Sequence, residues 1–223
     1  MEAISIDGGP IGVRAQNNAD RRRRIREAAR SVFCKRGYLN ATTREICEKA
    51  GVGNGTLFRH AADKRELLLL IVNDDMDTLH LDTGRRILAE NEKKKRPLRD
   101  LVLDFYKVRY DYLAKYPEIS RPFVKEVFNF MAVKPEDVEV EARRHLERRF
   151  EVRAELAKII AAHSSSRATR SARPELIAKL IHALYLSANR EWLETEELNA
   201  ASGLRRFAEL LDLAAAGFQA EFK

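Results

Sequence analysis

Arg44, Asn54, Arg59, His60 and Lys64, with the hydroxyls of Thr42, Thr43 and Thr56, stand in one short segment, TTREICEKAGVGNGTLFRHAADK, residues 42–64. A guanidinium offers paired N–H groups to a planar acceptor, an amide both donates and accepts, and an ammonium or hydroxyl meets a single anionic oxygen. That set suits the base edges and phosphates of double-stranded DNA. Arg44 and Arg59 are expected as bidentate donors to guanine, and Asn54 and His60 as contacts to base edges or phosphates. Thr42, Thr56, Phe58 and Lys64 are expected to fix position on the backbone, and Thr43 to join the contact surface. Gly53 and Gly55 each cost a helix about 1 kcal/mol relative to alanine, a cost that makes sense where another surface must come close to the chain.

Two helices joined by a glycine turn would hold these groups. Thr42 is placed to cap the first, with Glu45 three residues on completing a capping box, and Ala50-Gly51 ends it because glycine takes the left-handed conformation without a Cβ clash. The second runs from Gly53-Asn54 to His60, and Leu57 packs it against Ile46, Ala50 and Val52. An angled helix pair with a polar, cationic second member is the helix-turn-helix arrangement that enters a major groove. Ahead of it, Asp20–Arg24 opens a helix whose stripe of Ile25, Ala28, Ala29, Val32 and Phe33 packs behind the pair, ending at Gly37.

The wording Gly37-Tyr38, Thr42-Thr43-Arg44-Glu45-Ile46, Ala50-Gly51-Val52 and Gly55-Thr56-Leu57-Phe58, then Lys64, resembles the DNA-binding domain of the tetracycline-repressor (TetR) family over roughly residues 20–70. It departs from the family pattern at Ala41, Gly53 and His60-Ala61. The resemblance implies a cytoplasmic homodimeric transcriptional regulator, a repressor that binds a palindromic operator and is released by a small-molecule effector, which the mixed aromatic and apolar cavity candidates below suggest is largely apolar or aromatic. It also implies an all-α fold: a flexible leader (1–18), a three-helix DNA-binding domain (19–65) and a helical-bundle domain for ligand binding and dimerisation (66–223).

Charge agrees with that division. The net charge is +7, and residues 1–66 hold 14 Lys and Arg against 8 Asp and Glu, leaving a balance of only +1 for the remainder. A cationic first third supplies sequence-independent affinity by neutralising phosphates. A hydrophobic content of 45% is enough to bury a core. The first residues lack the cationic start and apolar segment of a secretory signal, and no run of 18 apolar residues occurs, so a cytoplasmic protein with no membrane partner is expected. Cys34 and Cys47 are expected to be reduced and buried.

Beyond Asp63, whose pairing with Glu66 caps another helix, residues 67–81 run helically and connect the two domains; the pattern weakens over 83–97, where 92–97 form a charged loop or frayed helix end. Helices are expected over 98–116, from Pro122, from Pro135 to His163, from Pro174 to Leu193 and over 204–222. Phe105, Arg109, Tyr112, Phe123, Val127, Phe130 and Met131 are candidates for an effector cavity, with ordinary core packing as the plainer reading of each. The last two helices carry more apolar surface than one bundle uses, so Leu180, Leu184, Trp192, Leu210 and Phe218 are candidates for a twofold four-helix dimer interface.

Catalysis finds little support. Asp77 and His80 stand three apart on one helix, but a di-iron bundle needs two Glu-x-x-His motifs and none occurs. No glycine-flanked serine or phosphate-cradling loop is present. No metal, cofactor or enzymatic activity is expected. A ligand-independent architectural DNA binder of the same fold is the main alternative, and a helical-bundle enzyme the remote one.

Overall fold

The computed structural model describes residues 11–130, 133–163 and 173–217, except the side chains of Ile11, Thr78, His80, Leu81, Asn129, Phe130 and Pro135. Among these residues the chain is all α. The helices are α1 (Ile11–Arg36), α2 (Thr43–Ala50), α3 (Asn54–His60), α4 (Lys64–Lys93), α5 (Leu98–Lys115), α6 (Pro117–Phe130), α7 (Val140–His163), α8 (Pro174–Leu193) and α9 (Ala200–Ala216), with a 3-10 turn over Pro135–Asp137.

The head is built from α1 to α3 as its residues dictate. Thr42 Oγ1 accepts the Glu45 amide at 3.2 Å while the Glu45 carboxylate accepts the Thr42 amide at 3.1 Å, and Gly51 closes α2 at φ 62°. Ile25, Ala29, Phe33, Ile46, Ala50 and Leu57 are buried together beneath them. The first start proposed from sequence was too late: α1 reaches back to Ile11, so residues 11–18 are helical rather than a flexible leader. Cys34 is exposed, against expectation, while Cys47 is buried.

Four further boundaries differ. α7 begins at Val140 rather than Pro135, since Pro135–Asp137 forms a separate 3-10 turn ahead of it. α4 continues to Lys93, about 45 Å in all, because Thr83, Ile87 and Asn91 are buried along one side and Asn91 Oδ1 accepts the Arg96 amide, closing the turn that follows. α6 restarts at Pro117, directly after α5, so Pro122 lies inside it. α9 begins at Ala200, capped by Asn199, and Gly203 sits within it. A Cβ at Gly203 would lie 2.5 Å from Tyr110 Cδ1 and 2.8 Å from Trp192 Cδ2, so only glycine lets α9 approach α5 and α8 this closely.

In the bundle, α4 packs on α7, α7 on α8, α8 on α9 and α9 on α5. Tyr106, Tyr110, Tyr185, Trp192 and Phe207 form its centre; Tyr106 and Tyr185 stack with centroids 4.4 Å apart, and Tyr110 meets Trp192 edge to face at 5.1 Å. No described helix is long and apolar enough to cross a membrane.

Candidate nucleic-acid interface and effector cavity

The exposed side of the head is α3 and the start of α2. Asn54, Phe58 and Arg59 are exposed, Phe58 by 47% of its surface, and Thr56 and His60 are half-buried. Arg59 Nη2 donates to Thr56 Oγ1 at 3.2 Å, which holds the guanidinium along the helix. Arg44 is exposed and, among the described residues, pairs with Glu48, 3.0 Å away on its own helix, a contact weak enough to exchange for another partner. Thr43 is half-buried; Thr42 spends its hydroxyl on the cap, so it acts by fixing α2. Gly53 and Gly55 have nothing within 4 Å of an added Cβ, leaving the backbone open to approach.

Lys64 has an internal role that sequence did not reveal. Its Nζ donates to the carbonyls of Leu39 at 2.9 Å and Ala41 at 3.3 Å and sits 4.9 Å over the Tyr38 ring, clasping the turn between α1 and α2. An ammonium has three N–H groups, so one remains for an outside acceptor. His60 has its pKa lowered by burial and by the neighbouring Arg22, Arg59 and Arg21, leaving a neutral ring. Sequence reasoning missed the part played by the start of α1. Arg14, Asn17, Asn18 and Arg21 face Arg59 and His60 across an open hollow of about 570 Å³, so three guanidiniums from two helices edge one groove. The helical continuation of Asn17 and Asn18 upstream of the arginines, at four-residue steps, was the available signal.

A polar network ties the head to the bundle. Glu66, in the first turn of α4, is buried and accepts the amides of Glu141 at 2.7 Å and Ala142 at 3.0 Å, capping the start of α7. Asn73 Nδ2 donates to the Glu141 carbonyl and carboxylate, both at 2.9 Å. From α1, Arg22 reaches Asp74 at 2.7 Å and Glu141 at 2.8 Å, while Arg144 of α7 pairs with Asp74 and Asp77. Burial alone would raise the Asp74 pKa, but the hydrogen bonds from Arg22 and Arg144 outweigh it and hold the carboxyl below its usual range. Arg148, also buried, donates to the Asn73 carbonyl at 2.5 Å and pairs with Asp77.

The other side of Arg148 borders a cavity of about 60 Å³ enclosed by α4, α5, α6, α7 and α8. Its walls come from residues one turn apart on each helix: Val72, Asn73 and Met76; Arg109 and Leu113; Phe123, Val124, Val127 and Phe128; His145, Arg148 and Arg149; His182, Tyr185, Leu186 and Asn189. Arg109, Phe123 and Val127, named from sequence, are therefore at this wall. Phe105 and Tyr112 are not. They are turned around α5 from Arg109 and Leu113; Phe105 is core beside Tyr106, and the Tyr112 hydroxyl donates to Asp75 at 2.7 Å. Met131 and the Phe130 side chain lie outside the described residues. The polar residues His145, Arg148, Arg149, His182 and Asn189 were missed, since they come from α7 and α8, far along the chain, although their three- and four-residue spacing marks one face of each helix. Burial and the neighbouring guanidiniums push the His145 pKa down to about 3 and that of His182 to about 2, so both rings are neutral. Among the described residues no group of His, Cys, Asp and Glu could hold a metal ion.

On the outer surface of the bundle, Leu176, Leu180 and Leu213 are 57%, 54% and 53% exposed, and Leu184 and Leu210 are half-buried. Trp192 corrects the sequence reading. It is fully buried within its own subunit, its Nε1 donating to the Asn199 carbonyl at 3.0 Å, so it offers no surface to a second chain. Phe218 lies outside the described residues.

Fold and geometry together define an all-α chain with a helix-turn-helix head on a helical bundle. Residues 25–71 match the family model of bacterial regulatory proteins, tetR family. The chain is 33% identical over 101 residues to the HTH-type transcriptional repressor AcnR of Corynebacterium diphtheriae, covering 45% of this chain and 49% of that protein; it thus spans about half the length of that relative. Among solved structures, it is similar to Thermus thermophilus FadR, a TetR-family transcriptional repressor in complex with lauroyl-CoA, with a TM-score of 0.64 at 21% identity over 88% of this chain and 94% of that one. A TetR transcriptional regulator from Rhodococcus sp. RHA1 gives a TM-score of 0.59 at 17% identity, over 91% and 99%. At these identities the structural likeness concerns the fold.

Proposed function

We propose that this protein is a sequence-specific DNA-binding transcriptional repressor that acts as a homodimer in the cytoplasm and releases its operator when a small molecule enters the bundle; it is a binding protein, not an enzyme. The observation that carries this reading is the continuous polar path from Arg22 of α1, in the head, through Asp74, Glu141 and Asn73 to Arg148 at the wall of the bundle cavity.

Thr43, Arg44, Gly53, Asn54, Thr56, Phe58, Arg59 and His60 form the groove-facing surface, with Thr42 and Lys64 holding its frame. Arg14 and Arg21 add phosphate contacts. Two copies meet through Leu180, Leu184 and Leu210 with Leu176 and Leu213, exposed apolar side chains at helical steps on neighbouring helices. A ligand in the cavity competes for Arg148. Drawing that side chain from the Asn73 carbonyl and Asp77 loosens α4 from α7, and α4 starts inside the head. In energetic terms the ligand binds the non-reading state better and shifts the population toward it. The relative AcnR, named a repressor, supports the sense of regulation.

Selection of binding sites from random duplexes by the full chain tests the reading. Enrichment of a palindrome, lost in the monomer produced by Leu180→Glu, is expected; recovery of no preferred sequence leaves an architectural DNA binder instead.

A further inference from the structure

The cavity is cationic without being matched. Arg148 is neutralised by Asp77, and no aspartate or glutamate lines the space. Arg149 is half-buried, and no hydrogen bond or ion pair among the described residues engages its guanidinium; only its backbone carbonyl is used, by Arg153. Burial and the like charge of Arg153 depress its pKa, with no carboxylate to oppose them. A polar atom with no partner borders the same space. His182 is 3% exposed, and among the described residues its Nε2 makes no hydrogen bond. Buried polar groups are ordinarily satisfied, and a half-desolvated cation ordinarily finds a counter-charge.

We propose that the cavity takes an organic monoanion, a carboxylate with an apolar tail, whose head pairs with Arg149 and accepts from His182 Nε2 while its tail displaces Phe128 and follows Val124 and Leu186. This rests on the cavity being the effector site. Three features select that chemistry. Arg149 brings one guanidinium with no carboxylate against it, which calls for a single negative charge. The volume, about 60 Å³, is that of roughly two waters, enough for a carboxylate head and no more. The planar fork of arginine matches a carboxylate in a bidentate pair. The His182 Nδ1 lies 3.1 Å from the Tyr106 hydroxyl. With that hydroxyl donating, the neutral ring carries its proton on Nε2 and gives it to the carboxylate. The tail has an exit, because Val124 and Phe128 also form the wall of a surface groove of about 400 Å³ between α6 and α8.

Calorimetric titration of the full chain with straight-chain carboxylates from acetate to decanoate, and benzoate, each against its matching alcohol, tests this. At least one acid is expected to bind once per chain and about ten-fold or more tighter than its alcohol. Arg149→Gln should remove that preference, and Asn189→Asp, which places a carboxylate in the cavity, should block acids while raising the melting temperature. Equal binding of acid and alcohol, no acid binding at all, or an undiminished preference in both variants overturns the proposal. Duplex selection by the ligand-free chain is scored apart. A chain that selects a sequence but prefers no acid sinks only this inference, whereas one that binds acids and selects no duplex sinks the regulator reading alone.

Discussion

The head and the bundle use cations in opposite ways. In the head, Arg44 and Arg59 are exposed, and their contacts are made to neighbours on their own helices. Such charges are hydrated and inexpensive, and their value appears only when phosphates or base edges arrive. In the bundle, Arg148 and Arg149 are buried or half-buried beside two neutral histidines. Charges there lose hydration and must be compensated, by Asp77 in the first case and by a ligand, on our reading, in the second. The difference teaches where each region keeps its specificity: the head holds it on a surface of hydrated charge, the bundle in a space whose half-buried charge calls for a counter-charge.

The largest expected effect breaks the comparison at the bundle. His145 and His182 have folded pKa values near 3 and 2, set by burial and by Arg109 of α5 and Arg149 of α7, with Arg153 acting on His182 as well. Both lie below the unfolded value of about 6.5, so the folded state resists protonation. Stability is full above about pH 6.5 and falls as pH drops toward the folded values. Between pH 6.5 and 5 each ring should cost about 2 kcal/mol, roughly 4 together at most because the two interact. Urea unfolding at the two pH values checks this: His182→Gln should lose about half as much as wild type, and identical losses would remove the buried-histidine account. The head is expected to contribute little, since His60 is only half-buried.

Next comes Arg59→Ala, which should cost about 1–3 kcal/mol on the selected duplex and much less on a random one, relaxing base preference. Equal losses on both, by fluorescence anisotropy, would move Arg59 to the backbone-positioning group. A pair of glycine substitutions then sharpens the contrast through one chemical change made twice. Gly203→Ala drives a methyl into Tyr110 and Trp192 and should destabilise by about 1–3 kcal/mol. Gly55→Ala meets nothing and should stabilise α3 by up to about 1 kcal/mol, while weakening duplex binding by filling the approach to the backbone. Thermal melts of the two variants shifting in the same direction would contradict both accounts.

How much of this was legible in the sequence follows the same division. Head structure is set by local signals: a capping box three residues wide, a glycine at a helix end, a leucine facing a short stripe. Each is readable in a window of one or two turns, and the structure has all three. The bundle depends on which side of each helix meets which neighbour. The excess of apolar residues in α8 was visible, yet nothing local said that Trp192 turns inward onto Tyr110 while Leu180 turns outward. The cavity assembles residues from five helices over more than a hundred positions, and its cations sit among many solvated ones on α7, an arginine-rich helix. The reach of α1 and α4 was underestimated because their extra turns are polar and carry no apolar stripe.

Lys64 gives the smallest effect and the finest test, since it belongs to both kinds of site. Two of its N–H groups hold the turn at Leu39 and Ala41, and the third is available to a phosphate. Removing the clasp should cost about 0.5–1.5 kcal/mol of stability, and removing the phosphate contact should reduce the slope of log affinity against log salt by about 1. Lys64→Ala should therefore lower the melting temperature and weaken cognate and random duplexes alike. A melting shift with an unchanged salt slope assigns Lys64 to the frame alone; a flattened slope with an unchanged melt assigns it to DNA alone, and the clasp then contributes nothing to the head.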